Sequence, residues 1–201
     1  MKVKPIVFRQ GKRLYLRPVF EEDLPLLTQF INDQEVSQFL TVSTPTSPRD
    51  ERHWFEGFTA RKATDLVFAI VLNKGDQLIG IMGLHKISHK DGTATTGSVI
   101  GNKMCWGKGY GTEAKMILLE YAFNTLNLRK VNSLVYDFNP RSKRCLEKCG
   151  YVEEGRQREQ IYRAGRYADT FVMGVFRDEW LPLWEKSKEK FIGASKGAVT
   201  K

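Results

Sequence analysis

The stretch Cys105-Trp-Gly-Lys-Gly-Tyr-Gly-Thr-Glu-Ala-Lys-Met-Ile-Leu-Leu-Glu-Tyr-Ala-Phe123 sets Gly107, Gly109 and Gly111 at every second position and runs straight into helical periodicity. Glycines let successive backbone N–H groups turn into one hollow, and the following helix adds the positive end of its dipole. The spacing therefore predicts an anion cradle suited to a pyrophosphate. It is not a dinucleotide fingerprint, which needs G-x-G-x-x-G, and not a Walker loop, because Lys108 is followed by Gly109 rather than Ser or Thr. The plainer alternative is a tight strand-to-helix turn that uses glycine only for positive φ.

Around this stretch the periods alternate. Leu14–Arg17 reads as a strand. Acids at Glu21, Glu22 and Asp23 then precede Leu24, Leu27 and Ile31 at helical spacing, with Pro25 near the start. Ser47-Pro48 caps and opens a second helix carrying Trp54, Phe55 and Phe58. Leu66–Leu72 and Gln77–Leu84, joined by Asn-Lys-Gly-Asp, predict an antiparallel hairpin, and Thr93–Gly101 a third strand. After the glycine-led helix come a strand at Val131–Asp137 and a helix from Asn139-Pro140 to Gly150. Strand-like segments then run to Phe176 around a turn at Ala164-Gly165. The order is that of one α/β layered domain.

The chain has 201 residues, enough for one domain of ordinary size, and 41% hydrophobic with 27% charged residues excludes a disordered or fibrous class. No run is long and apolar enough to span a bilayer, and Pro5, Arg9, Lys12 and Arg13 interrupt any leader core, so a cytoplasmic location is expected. Cys105, Cys145 and Cys149 lack the paired spacing of a zinc site, so no metal is expected, and the last two read as packed helix residues with nothing nearby to depress a thiol pKa. A net charge of +9 suits a polyanionic ligand, either a phosphorylated cofactor or RNA. Part of it lies in a basic segment at 186–201, read as a tail that leaves 1–185 as the domain.

W-G-K-G-Y-G-T-E-A resembles the acetyl-coenzyme-A pyrophosphate loop of GNAT N-acetyltransferases, whose pattern is Q/R-x-x-G-x-G/A, with Trp106 where Gln or Arg is usual. The RimJ/RimL-like branch is resembled further, in order, by L-Y-L-R-P-V-F-E-E-D-L at Leu14–Leu24, I-N-D-Q-E-V-S-Q-F-L at Ile31–Leu40 and I-G-I-M-G-L at Ile79–Leu84. N-P-R-S-K-R-C-L-E-K-C-G-Y at Asn139–Tyr151 and Y-R-A-G-R-Y-A-D at Tyr162–Asp169 complete the series.

The resemblance implies a mixed, mostly antiparallel sheet with helices on both faces and central strands that splay apart, the pantetheine lying in the gap. It implies that N–H groups from Cys105 to Thr112, within Trp106, Gly107, Lys108, Gly109, Tyr110, Gly111 and Thr112, hold the pyrophosphate. Main-chain groups of Val99, Ile100 and Gly101 would face the pantetheine and thioester oxygen, with Asn139 and Ser142 at the pantetheine end. The family's usual base and acid are absent, since their positions carry Thr95 and Leu146. Attack of a neutral amine on a thioester needs a proton acceptor and a donor to the thiolate. Ser142 is the candidate donor; Tyr136, Asp137 and His85 are candidate relays.

The reading expected is an N-acetyltransferase moving acetyl from acetyl-CoA to a primary amine. That amine is a protein N-terminus, such as a ribosomal protein's, or a small molecule, and a homodimer is a further expectation. The alternatives are an acetyl-CoA sensor without turnover and an RNA- or ribosome-associated protein. Acids at Glu21, Glu22, Asp23, Asp33 and Glu35 crowd the first helix and bear on cationic acceptors.

Overall fold

The computed structural model describes residues 5–192. Eight strands form one sheet in the order β1-β2-β3-β4-β5-β6-β8-β7. They are β1 (Arg9–Gln10), β2 (Leu14–Pro18), β3 (Leu66–Leu72), β4 (Leu78–Ser88), β5 (Thr93–Ile100), β6 (Lys130–Tyr136), β7 (Val152–Arg163) and β8 (Arg166–Phe176). Every neighbouring pair is antiparallel except β5 with β6. The helices are α1 (Leu24–Asn32), α2 (Gln34–Ser37), α3 (Pro48–Ala60), α4 (Tyr110–Glu120), α5 (Pro140–Lys148) and α6 (Arg177–Phe191).

Alternation along the strands makes two cores. Leu14, Leu16, Ile70, Met82, Leu84 and Val131 meet α4 and the Trp180–Trp184 pair of α6 on one face. Tyr15, Val67, Ala69, Val71 and Ile81 meet Leu24 and Leu27 of α1 and Phe58 of α3 on the other. Ser47 caps α3 by accepting from the Asp50 N–H, and Asn139 caps α5 by accepting from the Ser142 N–H. Gly150 ends α5 with a φ of 89°, a left-handed conformation that favours glycine.

The parallel pair is short. β5 and β6 are in register from Thr93↔Lys130 to Thr96↔Ser133, and beyond that rung they part. Gly97–Ile100 then pairs only with β4, and Leu134–Tyr136 only with β8, which opens a V whose inner edges are unpaired backbone. One sequence expectation is corrected. Lys186–Phe191 continues α6, with Ser187 buried and its hydroxyl donating to the Leu183 carbonyl, so the domain does not stop at 185. The amphipathic spacing Trp180, Trp184, Ser187 carries the helix through the lysines. The rest of the predicted tail, from 193, lies outside the described residues.

Candidate functional site

At the mouth of the V the glycine stretch folds as the cradle requires. Gly107 and Gly109 have φ of 73° and 81°, and Gly109 is the residue before α4, which begins with no side-chain cap. Among the described residues no backbone hydrogen bond uses the N–H groups of Gly107 to Thr112. Open N–H groups at an uncapped helix start are the donors an anion needs. The predicted range is narrowed at its front. The Cys105 and Trp106 N–H groups donate within a 3₁₀ turn, to the carbonyls of Asn102 and Lys103, and are not free for a phosphate.

A residue overlooked in the sequence holds this loop. Arg13 Nε donates to Glu113 Oε2 at 2.6 Å, its backbone N–H donates to Glu113 Oε1 at 2.7 Å, and its Nη1 donates to the Lys108 carbonyl at 2.8 Å. Glu113 is fully buried, so this pairing with Arg13 keeps its charge from standing uncompensated. The only sequence signal was an acid in the first turn of α4. Trp106 acts from the other side. Its indole N–H donates to the Ile100 carbonyl at 2.6 Å, and the Arg141 guanidinium lies 3.8 Å from its ring centroid, tying loop, β5 and α5 together. The Ile100 carbonyl is therefore already taken, while Gly101 packs under Phe30 so closely that a Cβ there would lie 2.0 Å from the ring.

The wall between α4 and α5 is a thiol. A Cβ on Gly111 would sit 3.8 Å from Cys145 Sγ and 3.8 Å from Ile100 Cγ1, and the Thr112 hydroxyl lies 3.5 Å from Cys145 Sγ. The expectation that nothing depresses these thiols is overturned. The neighbouring Cys149 thiol has the largest effect; burial opposes, but the Thr112 hydroxyl and buried Lys115 add to it, and the Cys145 thiol falls to about 6, while the Cys149 S–H is directed to the Thr112 carbonyl at 3.7 Å. Cys149 moves the opposite way, raised by burial and by the same interaction.

The opposite face of β4 and β5 carries His85. It pairs across strands with Thr95, the position where the family's usual base is missing. His85 Nδ1 lies 3.0 Å from Asp65 Oδ1. Because a carboxylate only accepts, Nδ1 carries a proton, and in the neutral imidazole that tautomer leaves Nε2 as the acceptor. Burial works to raise the Asp65 carboxyl, but hydrogen bonds from His85, Thr64 and Arg61 outweigh it and hold the group below its ordinary value. The ring lies over the next rung, Gly83↔Gly97, where Cβ atoms would come within 2.9 and 3.5 Å of Nε2. Two glycines thus make the floor on which the imidazole reaches toward the parting strands.

The other candidates separate. Ser142 stands in the first turn of α5, its N–H on Asn139 Oδ1 at 3.0 Å. Tyr136 ends β6, stacked on Phe138, its phenol pushed up by burial against a smaller opposing effect of Arg163. Asp137 follows β6, where Oδ2 accepts from the Asp169 N–H at 3.4 Å, while Oδ1 is buried without a hydrogen bond among the described residues and lies 3.8 Å from Arg166. Leu146 is in the core and only 3% exposed. Asp169 holds the β7–β8 hairpin by accepting from the Glu159 N–H and Arg156, whereas Tyr167 meets Tyr162 edge to face at the surface.

A sheet opened into a V, with an uncapped glycine cradle at its mouth, is the plan of one acyltransferase class. The acetyltransferase (GNAT) domain matches residues 13–152, and the chain belongs to that family. Its relatives include the Uncharacterized N-acetyltransferase p20 of Bacillus licheniformis, 28% identical over 84% of this chain and 96% of that protein. The spermidine N(1)-acetyltransferase of Vibrio cholerae is 31% identical over 56% of this chain and 64% of that one. A crystal structure of spermidine N-acetyltransferase from Vibrio cholerae in complex with CoA and spermine superposes with a TM-score of 0.78 at 25% identity, covering 84% and 98%. The chain is accordingly an acetyl-CoA-dependent N-acetyltransferase, with acetyl-CoA as its co-substrate. Among the described residues no group of side chains fit for a metal is present, and no helix is long and apolar enough to cross a membrane.

Proposed function

We propose that this enzyme acetylates the primary amine of a small molecule, with His85 taking the amine's proton and Ser142 supplying one to the departing thiolate. The observation that carries the reading is the Asp65–His85 pair, set across from Thr95 on the rung before the strands part. In the neutral ring, Asp65 on Nδ1 selects the tautomer with Nε2 as acceptor, the arrangement a general base needs. N–H groups from Gly107 to Thr112 would hold the pyrophosphate, and acetyl-CoA would bring the activated acyl group. Tyr136 lines the far edge of the V. The spermidine acetyltransferases among the relatives support a small-molecule amine over a protein N-terminus. The RimJ/RimL-like placement rests on the order of motifs, and a cytoplasmic homodimer completes the reading; light scattering tests its assembly.

The experiment is thiol release from acetyl-CoA across a panel of primary amines and N-terminal peptides. His85→Ala should lower kcat about 100-fold or more, within the usual span for a general base, while acetyl-CoA affinity by calorimetry stays unchanged. Added imidazole should restore part of the rate. A variant with wild-type turnover would remove His85 from the reaction.

A further inference from the structure

One buried ionisable group is not used by the chemistry above. Glu51, in the first turn of α3, is 3% exposed, and among the described residues its side chain has no hydrogen bond or ion pair. Burial is what acts on it, and burial raises its carboxyl above the ordinary value. The acids that crowd the first helix in the sequence are mostly answered. Asp23 pairs with Arg17 at 2.6 Å, Asp33 and Glu35 with Lys103 at 2.8 and 2.6 Å, and Glu21 with Arg52 at 3.0 Å. Glu51 alone combines deep burial with no cationic neighbour, and an uncompensated buried carboxylate is costly to keep.

Its surroundings indicate what would compensate it. Glu51 lines a shallow depression that opens to solvent, with Leu27, Phe30, Ile31, Ile81 and Val99. Val99 stands on β5 past the last β5–β6 rung, and Ile81 is its cross-strand partner. The next rungs on that face are Gly83↔Gly97 and His85↔Thr95, so cleft, glycine floor and imidazole form one continuous strip. An apolar lining with one unpaired acid matches a cation on an apolar stem; a carboxylate or phosphate ligand would be repelled.

We propose that this cleft binds the acceptor as a primary ammonium on an apolar stem, with Glu51 holding the charge and Leu27, Phe30 and Ile31 covering the stem. The proposal rests on the transfer reading above and names the substrate class for it. The amine is thereby placed over Val99, on the face opposite the coenzyme cradle, within one glycine rung of His85.

The test titrates n-butylammonium chloride into the full-length protein without coenzyme, following the methyl resonances of Val99 and Ile81, with n-butanol as the uncharged control. Wild type should show saturable shifts at both residues, Glu51→Gln should weaken binding about tenfold or more, and Glu51→Asp should retain part of it. The butanol response should be the same in all three. In turnover with n-butylamine and acetyl-CoA, Glu51→Gln should raise the acceptor KM by a similar factor while CoA affinity holds. Equal butylammonium affinity in wild type and Glu51→Gln, or shifts confined to other residues, would overturn the cleft. The two failures separate. Binding at Val99 that depends on Glu51, in an enzyme releasing no thiol with any amine, overturns the transfer reading and leaves the cleft. Turnover by Glu51→Gln at wild-type KM overturns the cleft and leaves the transfer reading. Melting of Glu51→Gln at or above wild type excludes a folding defect as the cause of lost binding.

Discussion

Cys145 shows how a side chain with a bland sequence context acquires chemistry from its neighbours. Its thiol is lowered to about 6 by the neighbouring Cys149 thiol, helped by Thr112 and Lys115. Iodoacetamide at pH 7.5 should therefore alkylate Cys145 ahead of Cys149, which is fully buried, and Cys105, whose thiol burial raises. The added group fills the space between Gly111, Ile100 and α5, so CoA affinity should fall, and prior CoA should protect the thiol. Peptide mass mapping reads the site; alkylation at Cys149 first would refute the assignment. Glu51 gives a second residue-scale prediction. Its folded-state carboxyl is raised above 4.5, so its protonated form favours the fold. That contribution is complete below about pH 4.5 and is lost as pH rises through the folded value. The melting-temperature advantage of Glu51→Gln over wild type should thus grow as pH increases from 4.5, and a constant difference would mean that Glu51 is solvated. Neither residue was legible in the sequence. Cys145 and Glu51 sit at ordinary helical positions; Cys149 one turn on is local, but Thr112 and Lys115 of α4 and the α1 side chains over Glu51 reach them only across the fold.

At the scale of elements the sequence was far more informative, because turns and caps are local. Ser47, Asn139, Gly150 and the glycines of the cradle mark their helix ends in the structure as their chemistry predicts, and the strand ends differ by one residue at β5 and β6 but by four at the end of β4, which runs on to Ser88. What was not legible was the reach of elements into one another: Arg13 on Glu113, Trp106 back onto Ile100, Asp65 beside His85. These contacts cross 100, 6 and 20 positions of chain. Two substitutions test elements separately. Asn139→Ala removes the α5 cap and should cost about 1 kcal/mol in denaturant unfolding, while Asn139→Asp should cost little. Gly109→Val places a β-branched residue at a φ of 81°, a penalty of roughly 1–2 kcal/mol, and its Cβ would press on Arg13 Nη2 at 3.4 Å. Its CoA affinity should fall by about tenfold or more, measured by calorimetry at a temperature where circular dichroism shows both proteins folded. Wild-type affinity would deny the loop its pyrophosphate.

For the whole molecule the decisive feature is that the sheet is not continuous. Only four rungs join β5 to β6, so the half built on β1–β5 and the half built on β6–β8 meet at a narrow seam, backed by α4 and α6. A coenzyme lying in the V would contact backbone edges from both halves and the cradle at its mouth, and would act as a strut across that seam. Ligand that binds only the folded state stabilises by RT ln(1 + [L]/Kd), about 2.7 kcal/mol at a hundredfold excess over Kd. For a chain of this size each kcal/mol moves the melting temperature by about 2–4 °C. CoA at that concentration should therefore raise the melting temperature by roughly 5–11 °C, and ADP alone, which reaches the cradle but not the V, should recover only part of this at the same excess over the CoA Kd. The net charge of +9 makes a rival account testable in the same cell. Were the basic surface built for RNA, an RNA oligomer would stabilise as well as CoA, with a steep loss between 50 and 200 mM salt following the number of phosphates neutralised. The cradle offers N–H donors to one pyrophosphate rather than a track of cations, so CoA stabilisation should decline only gently over that range. A shift that vanishes by 200 mM salt, or that RNA matches, would move the functional centre from the V to the surface.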